Sequence, residues 1–271
     1  MRFVSASNGA VFAALALAAP AAAATFSDTT FNTSDYVLGQ YADAGVTTTL
    51  GQAAVGNPGT ALQGTYASAG ANLDGVLFTA LNSTFVYDPG ASGAITALSA
   101  SLDRYLDPSV NGVPTNVGSY SLRILAEQDG PVYQSIFIFG PFNAPGGTWQ
   151  TLSQANIQAS DFKVFDPNNF TAAGTVTGLN YAGDAITFGF AMRAAGAVDS
   201  SGAPILAPSA GDLRADNFSL TIGAAGVPEP AAWAIMLAGF GLAGGALRRS
   251  RRIAAGDPRP AGQVIDQAII R

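Results

Sequence analysis

Ile186-Thr-Phe-Gly-Phe-Ala-Met-Arg193 sets Ile186, Phe188, Phe190 and Met192 at every second position, with Thr187, Gly189, Ala191 and Arg193 between them. Side chains along a strand point alternately to opposite faces, so this stretch reads as a strand with one large apolar face. Tyr120-Ser-Leu-Arg-Ile-Leu-Ala126 repeats the pattern, with Tyr120, Leu122, Ile124 and Ala126 opposite Ser121, Arg123 and Leu125. Outward from these two, short apolar or β-branched runs are cut by Gly, Pro, Asn and Asp, and no stretch keeps helical periodicity beyond about two turns. Further strands are expected at Tyr36–Leu38, Val46–Leu50, Ala61–Tyr66, Leu73–Phe78, Ser83–Tyr87, Ile95–Arg104, Val132–Phe139, Thr148–Leu152, Phe162–Phe165 and Asn217–Ile222. The two opening stretches extend to Ser119–Gln128 and Ala185–Ala194. A strand about every dozen residues, with turn residues between, indicates an all-β sandwich rather than alternating βαβ units. Gln154–Ser160 could form one helical turn, and Asp107–Gly118, Phe142–Gly147 and Asp199–Ala215 read as loops.

Charge and composition narrow the function. From Thr25 to Val227 there are 15 Asp and Glu against 5 Lys and Arg, a formal net charge of −10. Such a surface repels nucleic acid and stays soluble in a crowded glycan matrix. The whole chain has no Cys and no His. Disulfide stapling, Cys-His and Ser-His-Asp catalysis, and imidazole-held iron, copper or zinc are thereby excluded. Oxygen ligands remain, and those suit calcium.

The ends of the chain carry addresses. Residues 10–19 are apolar, and Pro20 leads into four alanines that set Ala22 and Ala24 at the recognition positions before a cut after Ala24. This is the pattern of a signal peptide over residues 1–24, to be removed by signal peptidase. At the other end, residues 231–247 are apolar and are followed by Arg248, Arg249, Arg251 and Arg252. A helix of that length reaches about 25 Å, enough to span a bilayer if flanking residues snorkel. The arginines place their end on the cytoplasmic side, with the bulk of the chain outside.

Pro228-Glu229-Pro230, then Trp233-Ala234, a glycine-patterned apolar segment and the arginine cluster resemble the PEP-CTERM sorting signal in its Trp-Ala form. The resemblance implies a Gram-negative source and a membrane-embedded sorting peptidase, the exosortase. That peptidase would read Pro228, Glu229 and Pro230, cut away a transient inner-membrane anchor, and pass the protein to the cell surface or extracellular matrix. The implied organisation is a signal peptide at 1–24, an ectodomain at 25–223, a sorting signal at 224–252 with its membrane helix at 231–247, and an extension at 253–271. Such signals usually stop at the arginines, so the extension is a departure.

Phe26-x-Asp28, Gly56-Asn57-Pro58-Gly59, Gly147-Thr148-Trp149-Gln150 and Ala215-Asp216-Asn217-Phe218-Ser219-Leu220 are similar, loosely, to the galactose-binding-like jelly rolls of carbohydrate-binding modules. That resemblance implies a jelly-roll β-sandwich and a structural calcium joining the first strand to the last through Asp28 and Asp216. Glycan binding needs aromatic platforms and nearby polar groups. Tyr105, Tyr133 and Trp149 are the aromatics nearest loops, Tyr105 being read as the end of its strand. Arg104, Asp107, Asn111, Asn116, Glu127 and Asp129 are possible polar partners. A glycosidase would need paired carboxylates. The ectodomain offers one Glu, Glu127, and Asp129 beside it belongs to a turn, so no catalytic residue is assigned. The expectation is weak binding of glycan or exopolysaccharide, with a structural matrix protein lacking a specific ligand as the alternative and a glycan hydrolase as a distant third.

Overall fold

The computed structural model describes residues 23–70, 75–115, 119–137, 146–195, 206–225, 240–242 and 244. Thirteen strands are present among them: β1 (Ala24–Asp28), β2 (Tyr36–Ala42), β3 (Val46–Gly56), β4 (Gly59–Ala69), β5 (Val76–Tyr87), β6 (Ile95–Val110), β7 (Val113–Pro114), β8 (Ser119–Glu127), β9 (Val132–Phe137), β10 (Gln150–Gln154), β11 (Phe162–Val164), β12 (Ile186–Ala195) and β13 (Pro208–Ala224). Every pairing is antiparallel. Sheet A runs β10-β6-β13-β4-β3, with β1 added to β13 and β7 to β6; sheet B runs β11-β9-β8-β12-β5-β2. The all-β sandwich expected from the alternation is the fold.

The even-numbered residues of β12 make the centre of the core: Ile186, Phe188, Phe190 and Met192 are fully buried, as are Leu122, Ile124 and Ala126 of β8 to within 2%. From sheet A, Leu98, Ala100, Leu102, Leu213, Ala215, Phe218, Leu220 and Ile222 face them. Rings cross the gap between sheets: Phe190 lies 4.9 Å from Phe218, which stacks on Phe85 at 5.7 Å, and Phe85 stacks on Phe26 at 5.4 Å. Full burial of each such side chain contributes about 1.5–3 kcal/mol. Residues 20–227 form one compact unit that holds this whole core.

Several expected boundaries move. Leu73–Phe78 and Ser83–Tyr87 are not two strands; β5 continues from Val76 to Tyr87, with Asn82 buried at the middle and accepting from Thr84 N at 2.9 Å. β6 does not end at Arg104 but runs to Val110, so the supposed loop from Asp107 begins as strand and turns back through β7. The supposed loop at Asp199–Ala215 is strand from Pro208 onward, because β13 is held there between β4 and β6 on both sides. The helical turn expected within Gln154–Ser160 is a 3-10 turn at Ala159–Asp161, after Gln154 has closed β10.

Sheet B has a second apolar layer on its outer side. Leu77, Leu81, Leu125 and Ala191 pack there with Tyr41, Val132, Phe165 and Phe170. The segment carrying Phe165 and Phe170 crosses this face as a strap, pinned from beneath by Arg123, which is 1% exposed. Arg123 donates to Gln134 Oε1, to Phe170 O at 2.9 Å and to Thr171 O at 3.2 Å, and Gln134 donates to Ala172 O at 3.0 Å.

Candidate ligand-binding face

The outer side of sheet A, by contrast, carries polar side chains. Registers put Tyr105 of β6 opposite Arg214 of β13, Arg214 opposite Gln63 of β4, and Gln63 opposite Gly51 of β3. Gln150 pairs with Arg104, which brings Trp149 beside Tyr105 at the head of the same row. The two rings lie 5.5 Å apart at 50°, and both are partly exposed. The Arg214 guanidinium lies over the Tyr105 ring, 4.2 Å from its centroid. Stacking of this kind orients a cation and keeps the phenol ring flat against it.

Arg214 is held from its other side by Asp212. Its Nε donates to Asp212 Oδ1 at 3.1 Å and Oδ2 at 3.0 Å, and its Nη2 also reaches Oδ2. Gln63 Nε2 donates to the same Oδ2 at 2.9 Å. The hydrogen bonds that Arg214 donates to Asp212 raise its pKa, burial opposes them, and the charges of Asp212 and Asp107 add to the rise. Asp107 itself is exposed, directly opposite Asp212 in the register. The local result is a fixed aromatic pair flanked by two carboxylates, a carboxamide and a guanidinium already neutralised by its neighbour. Such a surface can place a flat apolar sugar face on a ring while carboxylates accept from hydroxyls.

The sequence-read residues divide. Tyr105, Trp149 and Asp107 come together here, although Tyr105 sits in mid-strand rather than at a strand end. Tyr133 lies elsewhere: it is buried in β9 of sheet B, under Gly178, where an added side-chain carbon would stand 2.8 Å from its hydroxyl. Arg104 points inward, and its guanidinium donates to Gln150 Oε1 at 2.8 and 3.2 Å. Asn111 is a turn residue with φ 53°, and Asn116 lies outside the described residues. Glu127 ends β8 on sheet B, and Asp129 is in the following turn with φ 55°. Arg214, Asp212 and Gln63 were missed, although in Gly211-Asp-Leu-Arg-Ala215 the alternation of Leu213 and Ala215 with Asp212 and Arg214 is itself a strand signal. A cleft of about 720 Å³ beside the strap is lined mainly by apolar groups, Val164, Phe165, Pro167, Ala172 and Val176 among them, with Asp166, Asn169 and Thr175 as its polar side chains and neither Trp149 nor Tyr105 in its lining.

Asp28 and Asp216 lie near the seam where β13 exchanges β4 for β1 as its neighbour, and Asp28 pairs with Phe218. Asp28 Oδ1 accepts from Thr30 N at 2.7 Å, Thr30 Oγ1 at 2.9 Å and Phe31 N at 3.0 Å, and Oδ2 accepts from Tyr36 OH at 2.8 Å. Burial pushes its carboxyl up, but these donors outweigh it and leave the pKa lowered. Asp216 is fully buried and accepts from the backbone N–H of Asn57 and of Asn217. Burial raises its pKa, those two donors lower it, and the charges of Asp103 and Asp28 raise it further. Asp103 pairs with Asp216 across the strands and accepts from Asn217 Nδ2 at 2.7 Å and Asn57 Nδ2 at 3.2 Å. Calcium takes six to eight oxygen ligands. Among the described residues, no group of three or more His, Cys, Asp or Glu is placed to hold a metal ion.

The addresses at the ends fall largely outside the described residues. That holds for Ala22, for Pro228, Glu229, Pro230 and Trp233, and for Arg248 and Arg249. Ala24 opens β1 opposite Ile222, so a cut after it would leave Thr25–Asp28 paired with β13. Of the segment expected to span the membrane, residues 240–242 and 244 are described and are helical. No helix among the described residues is long and apolar enough to cross a membrane.

Residues 226–252 match the PEP-CTERM protein-sorting motif. No curated protein sequence matches the chain. Among solved structures, a carbohydrate-binding module of the β-sandwich superfamily is similar at 8% identity, with a TM-score of 0.37, over 71% of this chain and 60% of that one. The Clostridium thermocellum endo-1,4-β-D-xylanase 10B, solved as its CBM22-1 and GH10 modules with xylohexaose, is similar at 12% identity and a TM-score of 0.32, over 72% of this chain and 27% of that one. Lectin I from Ulex europaeus, solved with the methyl glycoside of α-L-fucose, is similar at 9% identity and a TM-score of 0.33, over 74% of this chain and 98% of that one. The chain thus spans less than two thirds of the length of the first two.

Proposed function

We propose that the protein is exported, anchored transiently in the inner membrane, sorted by exosortase to the cell surface or extracellular matrix, and binds glycan weakly on the outer face of sheet A. The sorting half rests on the motif at residues 226–252. The binding half rests on one observation: Tyr105 and Trp149 stand 5.5 Å apart, partly exposed, among Asp107, Asp212, Arg214 and Gln63. Arg214 covers one face of Tyr105, so Trp149 is the platform on which a sugar ring would lie. Tyr105 positions Trp149 and Arg214, and Asp107 accepts from sugar hydroxyls. No catalytic step is proposed, since Glu127 and Asp129 belong to β8 and its turn, on the other sheet.

One platform with a few hydrogen bonds gives roughly −4 to −6 kcal/mol, or millimolar to high-micromolar binding. Many copies on one surface convert that into useful avidity. The test is retardation of residues 25–227 in native gels containing extracellular polymer or defined polysaccharides. Trp149→Ala should abolish the retardation while circular dichroism stays unchanged. Absence of retardation on every polymer, or retardation indifferent to Trp149→Ala and Tyr105→Ala, would refute glycan binding at this face and favour the purely structural matrix role.

A further inference from the structure

The two flanks of the sandwich end differently. On one, the terminal strands are short: β10 has five residues and β11 three, with Lys163 in its middle. Short length and a lysine are the usual protections of a sheet edge, whose free N–H and C=O groups otherwise offer a template for another strand. On the opposite flank the terminal strands are β2 and β3, joined by the turn at Asp43–Gly45. β3 is eleven residues long, about 36 Å at the usual rise per residue. It contains neither a proline nor a charge, and none of its eleven residues is buried. Its neighbour β4 buries Ala61, Leu62 and Tyr66, and among the described residues no strand pairs with the far side of β3.

Charge on this flank is as distinctive as length. From Tyr36 to Ala69 the only ionisable acid or base among Asp, Glu, Lys and Arg is Asp43, in a unit of net charge −10. The unit as a whole repels a second copy of itself, whereas the charge-poor stretch around β3 adds almost nothing to that repulsion when two copies approach by it. On β3 itself the exposed hydroxyl of Thr49 is bonded to Thr65 at 2.6 Å and that of Thr47 to Ala67 O at 3.3 Å, and the ladder to β4 keeps one register from Val46 to Ala53 before it shifts ahead of Gly56, so the regular edge offered outward is Val46–Ala53. Val37 on the adjoining β2 is 66% exposed.

We propose that β3 is a self-association edge, on which the β3 of a second copy adds antiparallel across a twofold axis and joins two A sheets into one. A twofold axis makes antiparallel strand pairing self-complementary, so one uncharged strand supplies both halves of the contact. The pair carries two Tyr105–Trp149 faces, which links the association to surface avidity without depending on it.

Sedimentation velocity of residues 25–227, from about 5 to about 500 µM, reads the association directly. The wild type should shift from monomer to dimer across that range. Thr47→Glu with Thr49→Glu should weaken the dimer at least tenfold, because like charges then face each other across the pair. Thr96→Glu with Thr221→Glu, both exposed and away from β3, adds the same charge and should leave the dimer within about twofold of wild type. Hydrogen exchange supplies the second measurement: alternate β3 amides should gain protection as concentration rises. A wild type that stays monomeric throughout, a dimer weakened equally by both pairs of substitutions, or β3 amides whose protection ignores concentration would each overturn the proposal.

Discussion

Replacing Arg123 by Met tests what closes the outer side of sheet B. The side chain is 1% exposed, and burial, then the nearby Arg193 charge, pushes its pKa down from the ordinary guanidinium range to about 10. At about 1.4 kcal/mol per tenfold, that corresponds to about 3 kcal/mol spent on keeping the charge inside. Against this stand three charge-assisted hydrogen bonds, to Gln134 Oε1, Phe170 O and Thr171 O. At about 1.5–3 kcal/mol each they total roughly 5–9 kcal/mol, so they outweigh the desolvation. Arg123→Met removes both terms, keeps most of the apolar stem, and should lower stability by about 2–6 kcal/mol.

Urea unfolding of residues 25–227 at pH 7 measures the difference, and limited proteolysis shows whether the strap opens first. A base with a depressed folded-state pKa is penalised wherever it stays protonated. The difference between wild type and variant should therefore be flat from about pH 5 to 8. A variant as stable as wild type, with the strap equally resistant to protease, would mean that Phe165 and Phe170 hold the strap by packing alone and that the charge is merely tolerated.

Asp28→Ala should cost about 2–3 kcal/mol, since it strips four hydrogen bonds from the turn that delivers buried Phe31 to the core. Because the folded-state pKa of Asp28 is lowered, its advantage over Asn at this position is present above pH 3.8 and fades as acid titrates the folded carboxyl. Gly189→Ala should destabilise severely, because the new carbon would stand 2.1 Å from Ala80 O, a backbone atom in β5; thermal unfolding checks it. A calcium joining Asp28 to Asp216 is a separate proposal: it predicts a thermal transition that rises with calcium, falls with chelator, and loses the shift in Asp28→Asn with Asp216→Asn, and a transition that stays put refutes it. In a host with export machinery but no sorting peptidase, intact mass should find Met1–Ala24 removed and the protein in the membrane fraction; retention of Met1 in exported protein refutes the first half and a soluble form the second.

The core was legible because its code is local. Ile186, Phe188, Phe190 and Met192 announce a face within eight residues, and all four are fully buried. Long strands were less so, since a pattern of small and charged residues carries no burial contrast. From Pro208 to Gly211 nothing alternates, so the short Asp212–Ala215 signal stands alone until β4 and β6 pair with both sides of the segment. The candidate site suffered from the same gap. Trp149 and Tyr105 could be named one at a time, but their contact depends on the register of β10 against β6, 46 residues apart where Gln150 meets Arg104. Tyr133 was misplaced because its loop-proximal position says nothing of Gly178, which closes over it from 45 positions downstream in the chain. The seam at Asp216 turns on Asn217, whose φ of 50° suits Asn better than most side chains and marks the bulge between Asp216 and Ser219.

The two outer faces differ for one physical reason, and it explains where a ligand can go. Both sheets alternate, but the outward residues of sheet B include Leu77, Leu81, Leu125 and Ala191, an apolar patch that has to be covered. The segment after β11 covers it, and Arg123 and Gln134 fasten that cover by its carbonyls. The outward residues of sheet A need no cover. Ser153, Ser101, Ser219 and Ser27 form one row across four strands, and Thr221 pairs with Ser99 and Thr25 in the next. Hydroxyls lose nothing by facing solvent, so this face carries no apolar patch that has to be covered, and the partly exposed Tyr105 and Trp149 rings are its only aromatic side chains among the described pairs. Rings kept at the surface of an otherwise hydroxyl-lined face are held there by Arg214 and Asp212 rather than by burial. Asp212→Asn should therefore loosen Arg214 from Tyr105 and weaken any glycan contact without moving the unfolding transition by more than about 1 kcal/mol, the range for a partly exposed ion pair. A loss of stability well beyond that would show that the cluster belongs to the fold and not to a ligand.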